Sequence, residues 1–347
     1  MSYKLGQKAQ SFQPYQPIEG EYRIRLDANE SFLPPYDGLK EAIFQAMDRV
    51  ALNRYPDPYA REVCRHFAAY YGVDERFVTA GNGSDELISI LCNTFLQKGE
   101  KALVLAPDFS MYQFYLELAE CRPVVLKKGR DFAITADEII EVLNREECRM
   151  FLFSNPCNPT SLGMPAEEVN KIIANTNALV VVDEAYMDFW DQSILQDAAG
   201  YDNVIVLRTC SKMLGMAAVR LGFAVANERL TSVLRAAKSP YNVNSLTQAA
   251  GAAVFQNPDL IRGALRRILA SRNELYLFFQ NLMQTKDITV YPTCTNFVAV
   301  RVKHAAEVFE QLKQQSIIVR NFGDFLRITA GSEAENKELF EQLLHIL

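Results

Sequence analysis

Residues Asn203–Phe223 read NVIVLRTCSKMLGMAAVRLGF. The stretch opens as an apolar run, Val204 to Leu207, rich in β-branched residues. Such a run bounded by polar residues predicts a strand buried on both faces. The chain then turns through Arg208-Thr209-Cys210-Ser211 and presents Lys212, with Arg220 further on and a second apolar run from Leu221 to Ala226. A lysine just past the carboxyl end of a buried strand stands where open α/β sheets bind their ligands. Hydroxyls at 209 and 211 together with Arg220 suit a phosphate nearby. Taken alone, the Ser-Lys pair reads as a solvated loop. Its weight comes from the rest of the chain.

Outward from this stretch, strands and helices alternate. Strands are expected at Phe77–Ala80, Ala102–Ala106, Val124–Leu126, Met150–Phe153 and Ala178–Val182. Between them, Gly81-Asn82-Gly83-Ser84-Asp85-Glu86 is a glycine turn into a helix with Ser84 as its expected N-cap. Thr135 and Glu138 form a capping box, and Pro165 opens a further helix. Repeated βα units predict an α/β fold, a large and mainly parallel sheet with helices on both faces. Residues 1–28 read as an arm, and 29–256 as the large domain. From 257 to 347 the pattern changes to a smaller α+β domain. It starts with a long helix over Asp259–Gln284 and ends with a helix from Glu335.

Composition narrows the chemistry. The net charge of −6 argues against nucleic acid as a partner. Seven scattered cysteines, an odd number with no CxxC pair, argue for reduced thiols in a cytoplasm and against a disulfide frame or a zinc site. There is no apolar signal core, and no apolar run is long enough to span a bilayer. Only three histidines are present, His66, His304 and His345. Each lies in a helix-like stretch, so a Ser-His-Asp mechanism or a His-rich metal site is not expected.

Four strand ends carry polar punctuation: Phe109, Asn158, Asp183 and the Ser211-Lys212 turn. In a parallel sheet these ends share one edge, and Gly83-Ser84-Asp85 adds a helix N-terminus that favours an anion. Each piece alone has a plain structural explanation. Gly81-x-Gly83 is also a near miss for a dinucleotide loop, since Glu86 stands where a glycine is wanted.

Taken together, the motifs resemble a family. PDFSMY at 107–112, SNPCNPT at 154–160, DEAY at 183–186 and TCSKMLGMAAVRLGF at 209–223 are similar to the fold type I pyridoxal-phosphate aminotransferases. LDANES (26–31), RYPDP (54–58), GNGSDE (81–86), PYNVN (240–244) and LRITAGS (326–332) narrow the resemblance to the histidinol-phosphate aminotransferase branch. It runs nearly end to end, in the expected order.

The resemblance implies pyridoxal 5'-phosphate as cofactor. Lys212 would hold it as a Schiff base and, once freed, move the proton at the substrate α-carbon. Asp183 would pair with the pyridine nitrogen, Tyr186 and Asn158 would bond the ring oxygen, and Phe109 would stack on the ring. The backbone of Ser84 and Asp85, with Thr209, Ser211 and Arg220, would cup the phosphate. Tyr55 would reach the phosphate of the neighbouring subunit, making a homodimer with shared sites. For substrate, Asn158 and Arg327 match its binding groups, with Arg320 beside Arg327 and Tyr15 reaching from the arm. Arg320 also reads as a surface ion pair, and Tyr15 as a packing residue of the arm.

The implied reaction exchanges an amino group between L-histidinol phosphate and 2-oxoglutarate in two half-reactions. Alternatives are an aminotransferase of aromatic or other amino acids, a phosphothreonine decarboxylase, and a non-catalytic effector-binding module. A nicotinamide-dependent dehydrogenase lacks its glycine fingerprint. Three positions depart from the family pattern: Phe109 for a tyrosine, Ser161 for a glycine, Asp108 for a threonine. None of the three is expected to touch the chemistry.

Overall fold

A computed structural model describes residues 3–12, 14, 18–33 and 38–347. Tyr15 lies outside the described residues. The first strand, β1 (Ile24–Arg25), belongs with the C-terminal part of the chain. The large sheet is built from β2 (Val78–Gly81), β3 (Lys101–Ala106), β4 (Arg122–Lys127), β5 (Met150–Ser154), β6 (Leu179–Asp183), β7 (Val204–Thr209) and β8 (Gly222–Ala226). Their order across it is β2-β8-β7-β6-β5-β3-β4. All neighbouring pairs from β7 to β4 are parallel. β8 alone runs against its neighbours, with Ile205 opposite Ala226 and Thr209 opposite Gly222. Between β7 and β8 the connection holds only a three-residue helical turn, Ala217–Val219, and no α-helical crossover, and the chain returns antiparallel.

Every residue of β7 is buried, as its unbroken apolar run predicts. Val204 and Val206 pack on one face with Phe67 and Ile172, while Ile205 and Leu207 pack on the other with Leu87 and Leu91. Successive side chains of a strand point to opposite faces, so the sheet is covered on both.

The C-terminal strands are β9 (Ile288–Val290), β10 (Phe297–Val302), β11 (Ile317–Ile318), β12 (Arg320–Asn321) and β13 (Phe325–Thr329). Four of them form an antiparallel sheet in the order β12-β13-β10-β9. β1 pairs in parallel with β11, and Ile24 and Leu26 enter the core beneath this sheet. The N-terminal stretch thus ends tied to the C-terminal unit, through a pairing too short to read from periodicity. A 25-residue helix, Pro258–Leu282, precedes that unit.

Side-chain caps start four of the described α-helices, and two helix starts depart from expectation. The Thr135 and Glu138 capping box forms. A second box, Ser332 with Glu335, starts the last helix at Glu333 rather than at Glu335. Ser84 is the first helical residue, and Gly83, at φ +80°, is the N-cap. The helices Glu228–Ala237 and Ser245–Phe255 have no counterpart in the sequence reading. Asn227 and Asn244 cap them, each accepting from a backbone N–H three residues on.

Candidate active site

The carboxyl ends of β3, β5, β6 and β7 lie along one edge of the sheet, and the loop before β8 returns to it. A cavity of about 370 Å³ opens there, walled on the far side by β12 and β13. Asp183, Tyr186, Thr209, Ser211 and Lys212 line it from the ends of β6 and β7. Ser84, Asp85, Phe109 and Asn158 line it from the neighbouring turns, and Arg220, Arg320 and Arg327 complete it. Tyr55 does not. It is 81% exposed and stacks on Tyr241, centroids 4.6 Å apart.

Asp183 ends β6 with its carboxylate buried. The Tyr112 hydroxyl donates to Oδ2 at 2.9 Å and the Ala185 N–H to Oδ1 at 3.1 Å. Burial pushes its pKa up to about 7, against these two bonds, which pull it down. A carboxylate held in this way calls for a cation in the cavity. Lys212 Nζ donates to the Ala28 carbonyl at 3.1 Å and lies 5.6 Å from the centroid of the Tyr186 ring.

At the other end is an anion cup. The helix N-terminus at Ser84 presents free N–H groups. Thr209 Oγ1 donates to Ser211 Oγ at 3.1 Å, and Arg220 Nη1 reaches the same oxygen at 3.5 Å. Arg220 also faces Asp85 at 3.6 Å. Two glycines permit this closeness. A Cβ on Gly83 would lie 2.8 Å from Arg220 Nη2, and one on Gly222 would lie 2.6 Å from the Gly83 carbonyl carbon. Glu86, the residue that spoils a dinucleotide fingerprint, accepts from the Asn82 N–H at 2.6 Å and so caps the turn itself.

The Gly222 contact is against backbone, which cannot swing away. Gly222→Ala should therefore destabilise the fold by about 2–3 kcal/mol and weaken anion binding in the cup. Urea unfolding and a phosphate titration of the folded variant test this; an unchanged urea midpoint would count against the packing argument.

Arg320 and Arg327 are register partners across β12 and β13. Arg327 donates to Asn158 Oδ1 and to the Asp27 carbonyl. Arg320 lines the same cavity. Phe109 sits edge-to-face with Tyr112, centroids 5.4 Å apart, and offers the cavity an aromatic face.

Two residues escaped the sequence reading. Tyr112, the donor to Asp183, lies 71 positions from it. Its signal was only a tyrosine one helical turn after Phe109. Asp108 was expected to stand clear of the chemistry, yet it lines the cavity. It accepts from the Ser154 hydroxyl, and Ser154 Oγ in turn accepts from the Asn158 N–H at 3.1 Å, so Asp108 steadies Asn158. Ser161, by contrast, is buried, with its hydroxyl donating to the Thr160 and Pro292 carbonyls. It stands at φ +64°, a region that favours glycine, which accounts for the glycine usual at this position.

The family profile Aminotransferase class I and II matches residues 23–343. A histidinol-phosphate aminotransferase of Clostridium novyi is 42% identical over 333 residues, covering 94% of this chain and 93% of its own. One from Clostridium kluyveri is 40% identical and covers 98% of each chain. A solved histidinol-phosphate aminotransferase from Sinorhizobium meliloti, in complex with pyridoxal-5'-phosphate, superposes with a TM-score of 0.89 at 21% identity, over 100% of this chain and 99% of that one. The carboxylate, amine, aromatic face and anion cup meet at the sheet edge where such open α/β sheets bind ligands. The chain belongs to the aminotransferase class I and II family.

Proposed function

We propose that this chain is a histidinol-phosphate aminotransferase, moving the amino group of L-histidinol phosphate to 2-oxoglutarate with pyridoxal 5'-phosphate as cofactor. The cavity's own residues fit that cofactor end to end. The anion cup at Ser84, Thr209, Ser211 and Arg220 suits its phosphate, Phe109 its ring face, and buried Asp183 a protonated pyridine nitrogen. When bound, the cofactor supplies an aldehyde that takes the amino group and a ring that draws electrons from the α-carbon. Asp183 keeps that ring cationic. Tyr186 and Asn158 orient it, and the Lys212 amine removes and returns the proton at the α-carbon.

The observation that carries the substrate is the arginine pair. Two guanidinium groups at facing positions of β12 and β13 line one cavity, opposite an anion cup that already serves the cofactor. A second anion-binding site of this strength suits a donor that itself carries a phosphate, and then the carboxylate of the 2-oxo acid. The 40–42% identical relatives with this name support the same reading.

A panel of amino donors, followed by loss of the cofactor's visible absorbance, tests it. Histidinol phosphate should be the preferred donor. Arg320→Gln should raise its KM by about 10- to 100-fold, while an unphosphorylated aromatic amino acid changes little. Conversion by unphosphorylated aromatic donors alone would overturn the substrate. Release of carbon dioxide from phosphothreonine would assign the cavity to a decarboxylase instead.

The enzyme is further proposed to act in the cytoplasm as a homodimer, its Tyr55 reaching the partner's phosphate cup. The exposed Tyr55–Tyr241 stack supports this, since it offers a large aromatic surface beyond the chain's own cavity. Light scattering should give twice the chain mass, and a monomer would refute the shared site.

A further inference from the structure

The segment Asp27–Asn29 borders the cavity and is held there by donors from three other parts of the chain. The Asp27 carbonyl accepts from Arg327, the Ala28 carbonyl from Lys212 at 3.1 Å, and the Asn29 carbonyl from Asn296 at 3.2 Å. Asn29 itself is 1% exposed and stands at φ +55°, a left-handed conformation that Asn tolerates better than most residues.

Its side chain is directed at both ends. The Thr329 hydroxyl donates to Asn29 Oδ1 at 3.1 Å, and Thr329 Oγ1 accepts from the Asn29 backbone N–H at 3.1 Å. A threonine hydroxyl has one proton, and here Oδ1 takes it. Turning the amide over would leave that proton opposite an NH₂ group. The amide nitrogen therefore faces Tyr186, donating to its hydroxyl oxygen at 2.8 Å. Tyr186 thus receives a hydrogen bond from behind. Among the described residues no group accepts the hydroxyl's own proton, and Tyr186 lines the cavity.

We propose that Asn29 is a positioning residue: by donating to the Tyr186 oxygen, it forces that hydroxyl to act as a donor toward the ring oxygen of the bound cofactor. The inference rests on the cofactor assignment above. A hydroxyl without this partner could point its proton either way, and one facing a carboxylate would turn it backward. The chain Thr329–Asn29–Tyr186 also ties β13, the strand of Arg327, to the cofactor's oxygen.

The test uses Asn29→Gly, because glycine accepts the left-handed backbone and keeps the carbonyl contacts. Cofactor affinity of the stripped protein is read from Trp190 fluorescence, and the visible band of the loaded protein at fixed neutral pH. The variant should bind the cofactor about 3- to 10-fold more weakly, the worth of one hydrogen bond. Its visible band should move toward that of Tyr186→Phe. The double variant Asn29→Gly/Tyr186→Phe should match Tyr186→Phe alone within about twofold. Asn29→Asp should exceed Asn29→Gly in both readouts and likewise add nothing in the Tyr186→Phe background.

A wild-type band and affinity in folded Asn29→Gly would overturn the proposal, as would a loss that adds in full to that of Tyr186→Phe. Should the glycine variant fail to melt cooperatively, Thr329→Val takes its place, releasing the amide to turn, with the same two outcomes read. Wild-type protein that stays colourless with pyridoxal phosphate would instead remove the cofactor assignment, and this inference with it.

Discussion

Lys212→Ala should lower transamination by about 10⁴-fold while leaving a folded protein that still binds the cofactor. Among the described residues Lys212 is the only lysine lining the cavity, and no histidine lines it. No second amine or imidazole can take over the proton at the α-carbon. The anion cup and Asp183 are built from other residues and survive the substitution, so affinity for the cofactor should fall far less than turnover. Borohydride should leave the cofactor attached to the wild-type chain and not to the variant, as judged by the mass of the denatured protein. Lys212→Arg makes the sharper control. It keeps a cation near the Ala28 carbonyl and Tyr186 ring, but a guanidinium is always protonated and accepts no proton. Undiminished transamination in either variant would sink the role given to Lys212.

Lys212 could be found from sequence because two strong local signals coincide there. An unbroken β-branched apolar run reads as a fully buried strand, and the polar turn that follows it carries Lys212 to the sheet's edge. The same logic placed Asp183 and Asn158, and the parallel order of β5, β6 and β7 brought them together. What was not legible depends on register and on partners distant in sequence. Tyr112 reaches Asp183 only because the helix after β3 packs where it does. The β1–β11 pair is two residues long and carries no period. Gly83 displaces Ser84 as cap because a left-handed residue is needed beneath Arg220, a demand that no helix-start rule foresees. Asp108 looked like a harmless replacement for threonine; its reach to Ser154 appears only in three dimensions. Tyr55 marks the opposite limit, since it lies exposed outside the chain's own cavity.

Asp183→Asn should make the protein inactive and, without cofactor, more stable. The two effects share one cause. In protein stripped of cofactor the Asp183 carboxyl is buried, and its pKa is pushed up to about 7 from an ordinary 3.8. A folded-state value above the unfolded one means the protonated form is favoured on folding. That stability is fully present below about pH 4 and is lost as the pH rises through 7. The charge then costs about 4 kcal/mol. An amide carries no such charge, and it forfeits part of the Tyr112 bond, worth about 1 kcal/mol. Stripped Asp183→Asn should therefore exceed stripped wild type by about 3 kcal/mol at pH 8. The gap should close between pH 7 and pH 4, as urea unfolding across that range would show. Saturating pyridoxal phosphate should reverse the order, because a carboxylate against a protonated ring nitrogen gains where an amide does not. Turnover of the loaded variant should fall by about 10³-fold, as expected when a fixed charge opposite the developing carbanion is removed. A variant less stable than wild type at pH 8 without cofactor would show that burial is not what holds the Asp183 proton. A fully active one would show that the ring nitrogen lies elsewhere.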